Sequence, residues 1–219
     1  MHRDTVLIFA QAPRLGAVKR RLARGIGAMA ALRFYRGQLA AVARAIGRDR
    51  RWRTLLATTP DGARARWPRG PATVPQGRGG LGERLDNATR PRRGRVVVVV
   101  VGSDIPGVTA ADIAAAFRAL GRADAVFGPA EDGGYWLAGL SARRPPRPFG
   151  RVRWSTEHAL ADTLANFTGR RIALLRTLRD VDTAEDLQAL RAQPGSFASL
   201  PVLPVKPAST RKAKRRKPR

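Results

Sequence analysis

Acidic residues are scarce in this chain, and five of them follow apolar runs in three short stretches. The five are Asp104, Glu131, Asp132, Asp180 and Asp182, out of 16 Asp and Glu against 42 Lys and Arg. Asp104 comes shortly after six consecutive valines, which predict a strand covered on both faces. Open α/β sheets bind ligands at the carboxyl ends of their strands, and carboxylates there can hold a hard divalent cation. The alternative is that Asp104 only organises a turn or caps a helix, and its position alone does not decide between these roles.

Lys19 is the second candidate, because it is the only lysine in the first 205 residues of a chain that otherwise uses arginine. It follows a predicted strand at 5–10 and a loop with Pro13 and Gly16, and it falls in the first turn of a helix predicted from Ala17. Backbone N–H groups at a helix N-terminus favour a phosphate, and an ammonium group is a compact partner for one. The loop lacks the spacing of a P-loop, and a chance use of lysine is the alternative.

An alternation of predicted strands and helices must position these residues, and it indicates a three-layer α/β/α sandwich with a mostly parallel sheet. The predicted strands are 5–10, 52–58, a short one around 72–74, 95–101, 124–128, 135–140 and 171–177. The predicted helices begin near residues 17, 28, 81, 110, 155 and 184. Loops that follow parallel strands share one edge of the sheet, so we expect the five acids to face Lys19 there. Carboxylates opposite a lysine suit a magnesium-bound di- or triphosphate.

Two other acids have a structural explanation. Thr109 with Asp112, and Thr183 with Asp186, match the Ser/Thr-x-x-Asp/Glu signature of a capping box. Ser155 is predicted as the N-cap of the helix that follows it. Asp104 has no such partner in the sequence.

The glycine-rich stretch Gly77-Arg-Gly-Gly-Leu-Gly82 matches the dinucleotide fingerprint Gly-x-Gly-x-x-Gly. Its context disfavours a nicotinamide site, because the fingerprint should follow a well-formed strand and prolines at 71 and 75 flank only a short one. We expect instead a loop that lets a ligand approach the backbone ahead of a helix.

Composition excludes several classes of protein. The chain has 219 residues and no cysteine, which excludes disulfides, thiolate metal ligands and a cysteine nucleophile. No apolar run is long enough for a signal peptide or a membrane span, so we expect a cytoplasmic protein. We expect one domain over residues 1–192, followed at 193–219 by a proline-rich and then basic tail that is disordered.

The net charge of +26 is typical of proteins that bind nucleic acid. However, the stretch from Lys206 to Arg219 supplies eight of the basic residues, and nearly all others are arginines, as GC-rich coding would produce. We therefore expect nucleic acid to bind at most weakly, through the tail. Anionic nucleotides are the ligands that this surface favours more.

Six blocks of the chain, in order, resemble a bacterial family of GT-A-fold glycosyltransferases often described as radical-SAM/selenium-domain-associated transferases. The blocks are Phe9–Leu22, Gln76–Leu85, Gly102–Pro106, Gly128–Tyr135, Trp154–Thr156 and Asp180–Thr183. The first is similar to the family pattern Phe-Ala-Lys-x-Pro-x-x-Gly-x-Val-Lys-Thr-Arg-Leu. Gln11, Arg20 and Gly80 depart from the family, where lysine, threonine and aspartate are common, which leaves open whether the activity is altered.

The resemblance implies a nucleotide-diphospho-sugar transferase-like fold and a metal-dependent transferase. The first hypothesis is glycosyl transfer from a nucleotide-diphospho-sugar to an unknown small acceptor. Nucleotidyl transfer from an NTP, with release of pyrophosphate, is the alternative on the same fold. A basic nucleic-acid-binding protein is the third and least favoured hypothesis.

The resemblance also implies roles for individual residues. Asp104 would hold Mg²⁺ or Mn²⁺, and Asp182 would be a second metal ligand or a polar residue near the reacting phosphate. With Lys19, these two acids would form the catalytic set. The implied nucleotide-binding residues are Ala10, Pro13, Gly16, Lys19, Arg21, Gln76, Gly77 and Gly82. The implied substrate-binding residues are Glu131, Asp132, Gly133, Gly134 and Tyr135.

Overall fold

The structure is a computed structural model that describes residues 4–90, 97–103 and 105–192. Asp104 and the predicted tail at 193–219 therefore lie outside the described residues. The strands are β1 (Thr5–Gln11), β2 (Arg53–Thr59), β3 (Ala72–Pro75), β4 (Val97–Val100), β5 (Ala125–Pro129), β6 (Tyr135–Leu140) and β7 (Ile172–Leu174). The helices are α1 (Arg20–Ile26), α2 (Ala28–Gly47), α3 (Leu81–Ala88), α4 (Ala110–Leu120), α5 (Ala159–Ala165) and α6 (Ala184–Ala192).

The strands form one sheet in the order β3-β2-β1-β4-β6-β5-β7. Within the described ranges every strand except β6 runs parallel to the rest, and β6 lies antiparallel between β4 and β5. This confirms the mixed α/β fold with a mostly parallel sheet. Since β2 and β3 extend the sheet on one side of β1 while β4 lies on its other side, the chain changes direction between β1 and β4. Ligands of doubly wound sheets bind at such a switch point, outside the carboxyl ends of the strands.

The valine strand is buried on both faces, as its composition predicts. Val98 and Val100 pack in the cluster that includes α2 and α4, whereas Val97 and Val99 pack in the opposite cluster with α3. Alternate side chains of a strand point to opposite faces, so a strand between two helical layers must be apolar throughout. A third, smaller cluster joins α1, α2 and α6 beside the sheet. No helix in the part of the chain that the structure describes is long and apolar enough to cross a bilayer.

Both predicted capping boxes are present. The Thr109 Oγ1 atom accepts from the backbone N–H of Asp112 at 3.3 Å, and the Asp112 carboxylate accepts from the backbone N–H of Thr109 at 2.8 Å. The Asp186 carboxylate accepts from the backbone N–H of Thr183 at 2.9 Å in the same way. These acids therefore serve helix starts, as their spacing predicts.

The helix predicted to begin at Ser155 starts four residues later, at Ala159, with His158 as its N-cap. Ser155 is not the cap, because it lies three residues before the N-cap position, and its backbone there is left-handed with φ of 62°. The Asp162 carboxylate accepts from the backbone N–H of Arg153 at 2.9 Å and from its guanidinium at 2.8 and 2.9 Å. These contacts hold the preceding segment in turns and delay the helix.

The last strand is also shorter than predicted, since its regular pairing with β5 ends at Leu174, and an isolated parallel bridge between Leu178 and Ala130 follows. Arg176 turns toward α4, where its guanidinium donates to the Asp112 carboxylate at 2.7 and 2.8 Å. The Arg176 carbonyl accepts from the Trp136 indole at 3.1 Å. Burial raises the pKa of Asp112, but hydrogen bonds from Arg176 and Thr109 outweigh it and lower the pKa below its usual value.

Gly128 in β5 provides a test of this packing. A Cβ atom there would overlap the indole of Trp136, which is fully buried. We expect Gly128→Ala to lower the free energy of unfolding by about 1–3 kcal/mol through overpacking. Gly37→Ala is the matched control, because Gly37 lies inside α2 with open space around its Cβ position. The control should raise the free energy of unfolding by about 0.5–1 kcal/mol, and urea unfolding measures both. Equal effects of the two substitutions would contradict the packing described here.

Candidate functional site

Lys19 and Asp182, which are 163 residues apart in sequence, meet at the carboxyl edge of the sheet. The Lys19 Nζ atom lies 2.9 Å from Asp182 Oδ1, and the Arg21 Nη1 atom lies 3.4 Å from Asp182 Oδ2. The Lys19 side chain is only 8% exposed, whereas that of Asp182 is 36% exposed. A buried ammonium group therefore lies under a carboxylate that solvent can reach.

Lys19 reaches this position through an unusual backbone. It has φ of 47° and ψ of 50°, the left-handed region, and it is the N-cap of α1 and not a residue of its first turn as predicted. This conformation costs a non-glycine residue about 1–2 kcal/mol. Strain of this kind is concentrated at functional sites, and here it directs the ammonium group toward Asp182. Gly16 earlier in the loop also has a positive φ, of 74°, and is exposed.

Helix α2 holds the loop that leads to Lys19. The Tyr35 hydroxyl accepts from the Gln11 N–H and donates to the Gln11 carbonyl, at 2.9 Å each. The Arg36 guanidinium donates to the Pro13 carbonyl at 3.2 Å. Pro13 is buried, so the loop is fixed at its base while its middle remains open to solvent.

Asp186 positions Asp182 in addition to capping α6. Its carboxylate accepts from the backbone N–H of Asp182 at 3.1 Å and from the Arg179 guanidinium at 3.0 Å. Burial raises the pKa of Asp186, but the hydrogen bonds from Arg179, Thr183 and Asp182 together lower it below its usual value. The sequence signals the cap but not the second role, because the second role depends on the path of the preceding loop.

Arg179 was not predicted as a site residue. Besides donating to Asp186, its Nε atom lies 3.7 Å from the Glu131 carboxylate in the loop after β5. One arginine thus connects an acid of the turn after β5 with the acid that caps α6. Only its position immediately before Asp180 and Asp182 hinted at this, and arginine is too common in the chain to be informative.

Gln76 ties the ends of three strands together. Its amide nitrogen donates to the carbonyls of Ala10 at 3.3 Å and Ala57 at 2.9 Å, and its amide oxygen accepts from Arg84 at 2.5 Å. Gln76 is 8% exposed, so its side chain is occupied within the protein. The predicted nucleotide-binding role of Ala10 and Gln76 stays a prediction, and in this structure their polar groups hold β1, β2 and the glycine loop in register.

The two predicted glycines of that loop have different surroundings. Gly77 has φ of 91°, and its N–H donates to the Asp61 carboxylate at 3.2 Å. Gly82 is buried, and a Cβ atom there would crowd the Phe149 carbonyl and the Trp154 indole. Gly77 therefore lies in an exposed turn, whereas Gly82, in α3, allows that helix to pack closely against the segment between β6 and α5.

The predicted substrate-binding turn connects β5 and β6. Asp132 Oδ1 accepts from the Gly134 N–H at 2.9 Å, and the Glu131 N–H donates to the Leu178 carbonyl at 3.0 Å. Gly133 has φ of 82° and lies against the Glu157 backbone. The side chains of Glu131 and Asp132 are exposed at the same edge as Asp182.

Tyr135 differs from the rest of this set because its side chain is in the core. Its ring packs edge-on against Phe127 and Trp154 at 5.4 and 6.2 Å, and its hydroxyl lies 3.5 Å from Thr163 Oγ1. Burial raises the pKa of Tyr135 well above its usual value. The phenol thus contributes packing in this structure, and its substrate-binding role stays a prediction.

The metal prediction rests on oxygen ligands, which suit Mg²⁺ or Mn²⁺. Among residues 4–90, 97–103 and 105–192 no group of three or more His, Asp or Glu is arranged to hold a metal ion. Asp182 lies at the expected edge but is engaged by Lys19 and Arg21, and Asp104 lies outside the described residues. This arrangement fits a cation that takes most of its ligands from phosphate and water, with one or two protein carboxylates.

Residues 42–156 match the model of the family DUF2064, whose description is "Uncharacterized protein conserved in bacteria". No curated protein matches the chain. A crystal structure from Desulfovibrio desulfuricans G20, provisionally named a nucleotide-diphospho-sugar transferase, is 26% identical with a TM-score of 0.79, covering 92% of each chain.

A more remote structural match is Rv0371c from Mycobacterium tuberculosis H37Rv. It is 20% identical with a TM-score of 0.50, covering 86% of this chain and 97% of its own, and this likeness shows the fold alone. A structure of Rv0371C in complex with manganese aligns with 18% identity and a TM-score of 0.48. That degree of likeness does not place the metal in the present chain.

Asp186→Asn tests the link between the α6 cap and the site. The folded-state pKa of Asp186 is below its unfolded value, so its stabilisation is present above about pH 4 and is lost as the pH falls through the folded-state pKa. We expect the substitution to lower the free energy of unfolding by about 1 kcal/mol at pH 7 and by much less at pH 3. Urea unfolding at both pH values measures this.

Glu185→Gln, in the same turn, is the control, because it removes a charge but none of the four hydrogen bonds that Asp186 accepts. We expect it to change the free energy of unfolding by less than about 0.5 kcal/mol. A loss in Asp186→Asn that is the same at pH 3 and pH 7 would contradict the assigned role of the carboxylate.

Proposed function

The chain belongs to the DUF2064 family, and we propose that it is a metal-dependent transferase that uses a nucleotide donor. Glycosyl transfer from a nucleotide-diphospho-sugar to a small acceptor is the reaction we favour. The single observation that carries the proposal is the buried Lys19 ammonium group, 2.9 Å from Asp182, at the switch point of the sheet. The likeness to the Desulfovibrio protein over 92% of both chains supports the same class of enzyme.

The charges at this edge suit a diphosphate. Lys19 and Arg21 share the Asp182 carboxylate, so two cations are already held within reach of one position. A phosphate oxygen that approaches Lys19 replaces or adds to the carboxylate as its partner, and charge-assisted hydrogen bonds of this type are about twice as strong as neutral ones. Backbone N–H groups of the open loop around Gly16 can add further donors.

Asp104 and Asp182 are the residues that would hold the divalent cation. When bound, the cation neutralises charge on the diphosphate that leaves. Lys19 stabilises the same developing charge from the side of the loop, and the edge of the sheet orients the donor. The Asp182 carboxylate can bind a metal cation only if Lys19 and Arg21 form part of their hydrogen bonds with phosphate and no longer with that carboxylate.

In glycosyl transfer, an acceptor hydroxyl attacks the anomeric carbon while the bond from that carbon to the diphosphate oxygen breaks. A nucleoside diphosphate leaves, and the acceptor proton passes to solvent or to a carboxylate. In this proposal Glu131 and Asp132, whose carboxylates are exposed on the turn after β5, receive that proton or orient the acceptor.

Nucleotidyl transfer remains the second candidate, because a lysine in the loop after β1 serves an α-phosphate equally well. In that reaction a hydroxyl or phosphate oxygen attacks the α-phosphorus, and pyrophosphate leaves with the electron pair of the broken P–O bond.

A panel of ligands separates the two reactions. We expect nucleotide-diphospho-sugars, with Mg²⁺ or Mn²⁺, to raise Tm by several degrees, since a ligand at about 100 times its Kd adds about 2.7 kcal/mol of stability. NTPs without a sugar should stabilise less and should release no pyrophosphate. Stabilisation by NTPs with pyrophosphate release would establish the second candidate, and no stabilisation by any nucleotide would contradict both.

Lys19→Ala tests whether the buried Lys19 ammonium group binds the nucleotide. We expect it to weaken nucleotide binding about 10- to 100-fold, because a charge-assisted hydrogen bond is lost, and Lys19→Arg should recover only part of the affinity. Arg24→Ala is the matched control, since it removes an exposed cation from the same short helix. Calorimetric titration with the best ligand of the panel measures all three variants. An equal loss in Lys19→Ala and Arg24→Ala would show that only general charge matters.

A further inference from the structure

Charge is distributed unevenly along this chain. Residues 5–48 contain nine Lys and Arg and no Asp or Glu. Residues 97–192 contain twelve Lys and Arg and eleven Asp and Glu. A uniform preference for arginine would raise the number of arginines along the whole chain, but it would not remove Asp and Glu from one region. Residues 49–96 also have an excess of basic residues, with twelve Lys and Arg against four Asp and Glu. The region formed by β1, α1 and α2 differs from both in that it contains no acid to neutralise its arginines.

Five exposed arginines of the adjoining helices α1 and α2 are together called the basic face here. They are Arg20 and Arg24 on α1 and Arg33, Arg44 and Arg48 on or at the end of α2. All five are exposed, and within the part of the chain that the structure describes their side chains form no hydrogen bond or ion pair. In the second half of the chain, by contrast, five arginines pair with aspartates: Arg143, Arg144, Arg153, Arg176 and Arg179.

The arginines of α2 form one stripe. Arg33, Arg44 and Arg48 recur at helical spacing, over about 22 Å of helix at 1.5 Å per residue. On the same side of α2, between Arg33 and Arg44, lie only small residues, Gly37, Ala40 and Ala41, which do not shield the guanidinium groups. Met29, four residues before Arg33, continues the stripe and is 51% exposed.

This stripe begins next to the candidate site. The contacts of Tyr35 with Gln11 and of Arg36 with Pro13 place the first part of α2 beside the loop after β1. Leu15, in the middle of that loop, is 57% exposed. Met29 is thus exposed on the same helix as three of the unpaired arginines, and Leu15 is exposed on the loop that α2 contacts.

We propose that the basic face docks on an anionic lipid bilayer, with Met29 and Leu15 entering the headgroup region. Arginines attract anionic headgroups and can bind their phosphates in a bidentate manner, and exposed apolar side chains add the burial that interfacial binding needs. Nucleic acid suits the face less, because the aromatic side chains of α2, Phe34 and Tyr35, are buried and provide no stacking surface. Docking of this face would orient the sheet edge that carries Lys19 and Asp182 toward the membrane. This proposal does not depend on the proposed transferase activity.

Vesicle co-sedimentation of the full chain tests the proposal. We expect binding to vesicles of 70% phosphatidylcholine and 30% phosphatidylglycerol, and no binding to pure phosphatidylcholine, with affinity that falls as salt rises. Arg33→Glu, Arg44→Glu and Arg48→Glu together should weaken binding at least tenfold.

The matched control is Arg118→Glu, Arg122→Glu and Arg170→Glu, which reverses three other exposed arginines. Arg118 and Arg122 lie at the C-terminal end of α4, as Arg44 and Arg48 lie at that of α2. The two triple variants therefore change the same total charge and similar charge at a helix terminus. We expect the control to weaken binding less than threefold, and circular dichroism verifies that both variants are folded. Met29→Ser should weaken vesicle binding severalfold without changing the net charge.

Three results would overturn the proposal. The first is no binding of the unmodified chain to anionic vesicles. The second is an equal loss in the two triple variants, which would assign binding to general charge or to the basic stretch after residue 206. The third is RNA binding that the basic-face variant loses while vesicle binding is unaffected, which would make the face a nucleic-acid surface.

Discussion

The ion pair between Lys19 and Asp182 is the contact on which the candidate site depends. It joins the loop after β1 to the loop after β7, and these strands are far apart in the sheet order. At its two ends, Lys19 has a left-handed backbone, and the Asp182 N–H donates to the Asp186 carboxylate that also caps α6. Two local conformations at distant points of the chain thus converge on one buried ammonium group.

In the contacts around this ion pair, polar side chains fix the loops at the carboxyl ends of the strands, and the outer part of that edge stays exposed to solvent. Gln76 is bound to two strand carbonyls and to Arg84, and Arg36 holds the loop after β1. Arg179 connects the loops after β5 and β7. Rigid support of this kind keeps charged groups in place without a ligand, which is what a preorganised phosphate site requires.

The sequence predicts the alternation of elements and the shared edge, because periodic apolar patterns and the position of acids after strands are local features. It thereby places Lys19 and Asp182 on one edge before any contact is known. The insertion of β6 between β4 and β5, the late start of α5 and the role of Arg179 were not predictable. The insertion of β6 and the role of Arg179 depend on contacts between segments far apart in sequence, such as that of Arg179 with Glu131. The late start of α5 depends on the contacts of Arg153 with Asp162, which no local sequence pattern indicates.

The most direct test of the central claim is a crystal structure of the full chain with a nucleoside diphosphate and Mn²⁺, located by anomalous scattering. The account predicts diphosphate oxygens within hydrogen-bond distance of Lys19 Nζ and the metal on the carboxylate of Asp182 or Asp104. A diphosphate bound elsewhere, for example in the cleft between α3 and the loop at 146–150, with the Lys19–Asp182 pair unchanged, would contradict it.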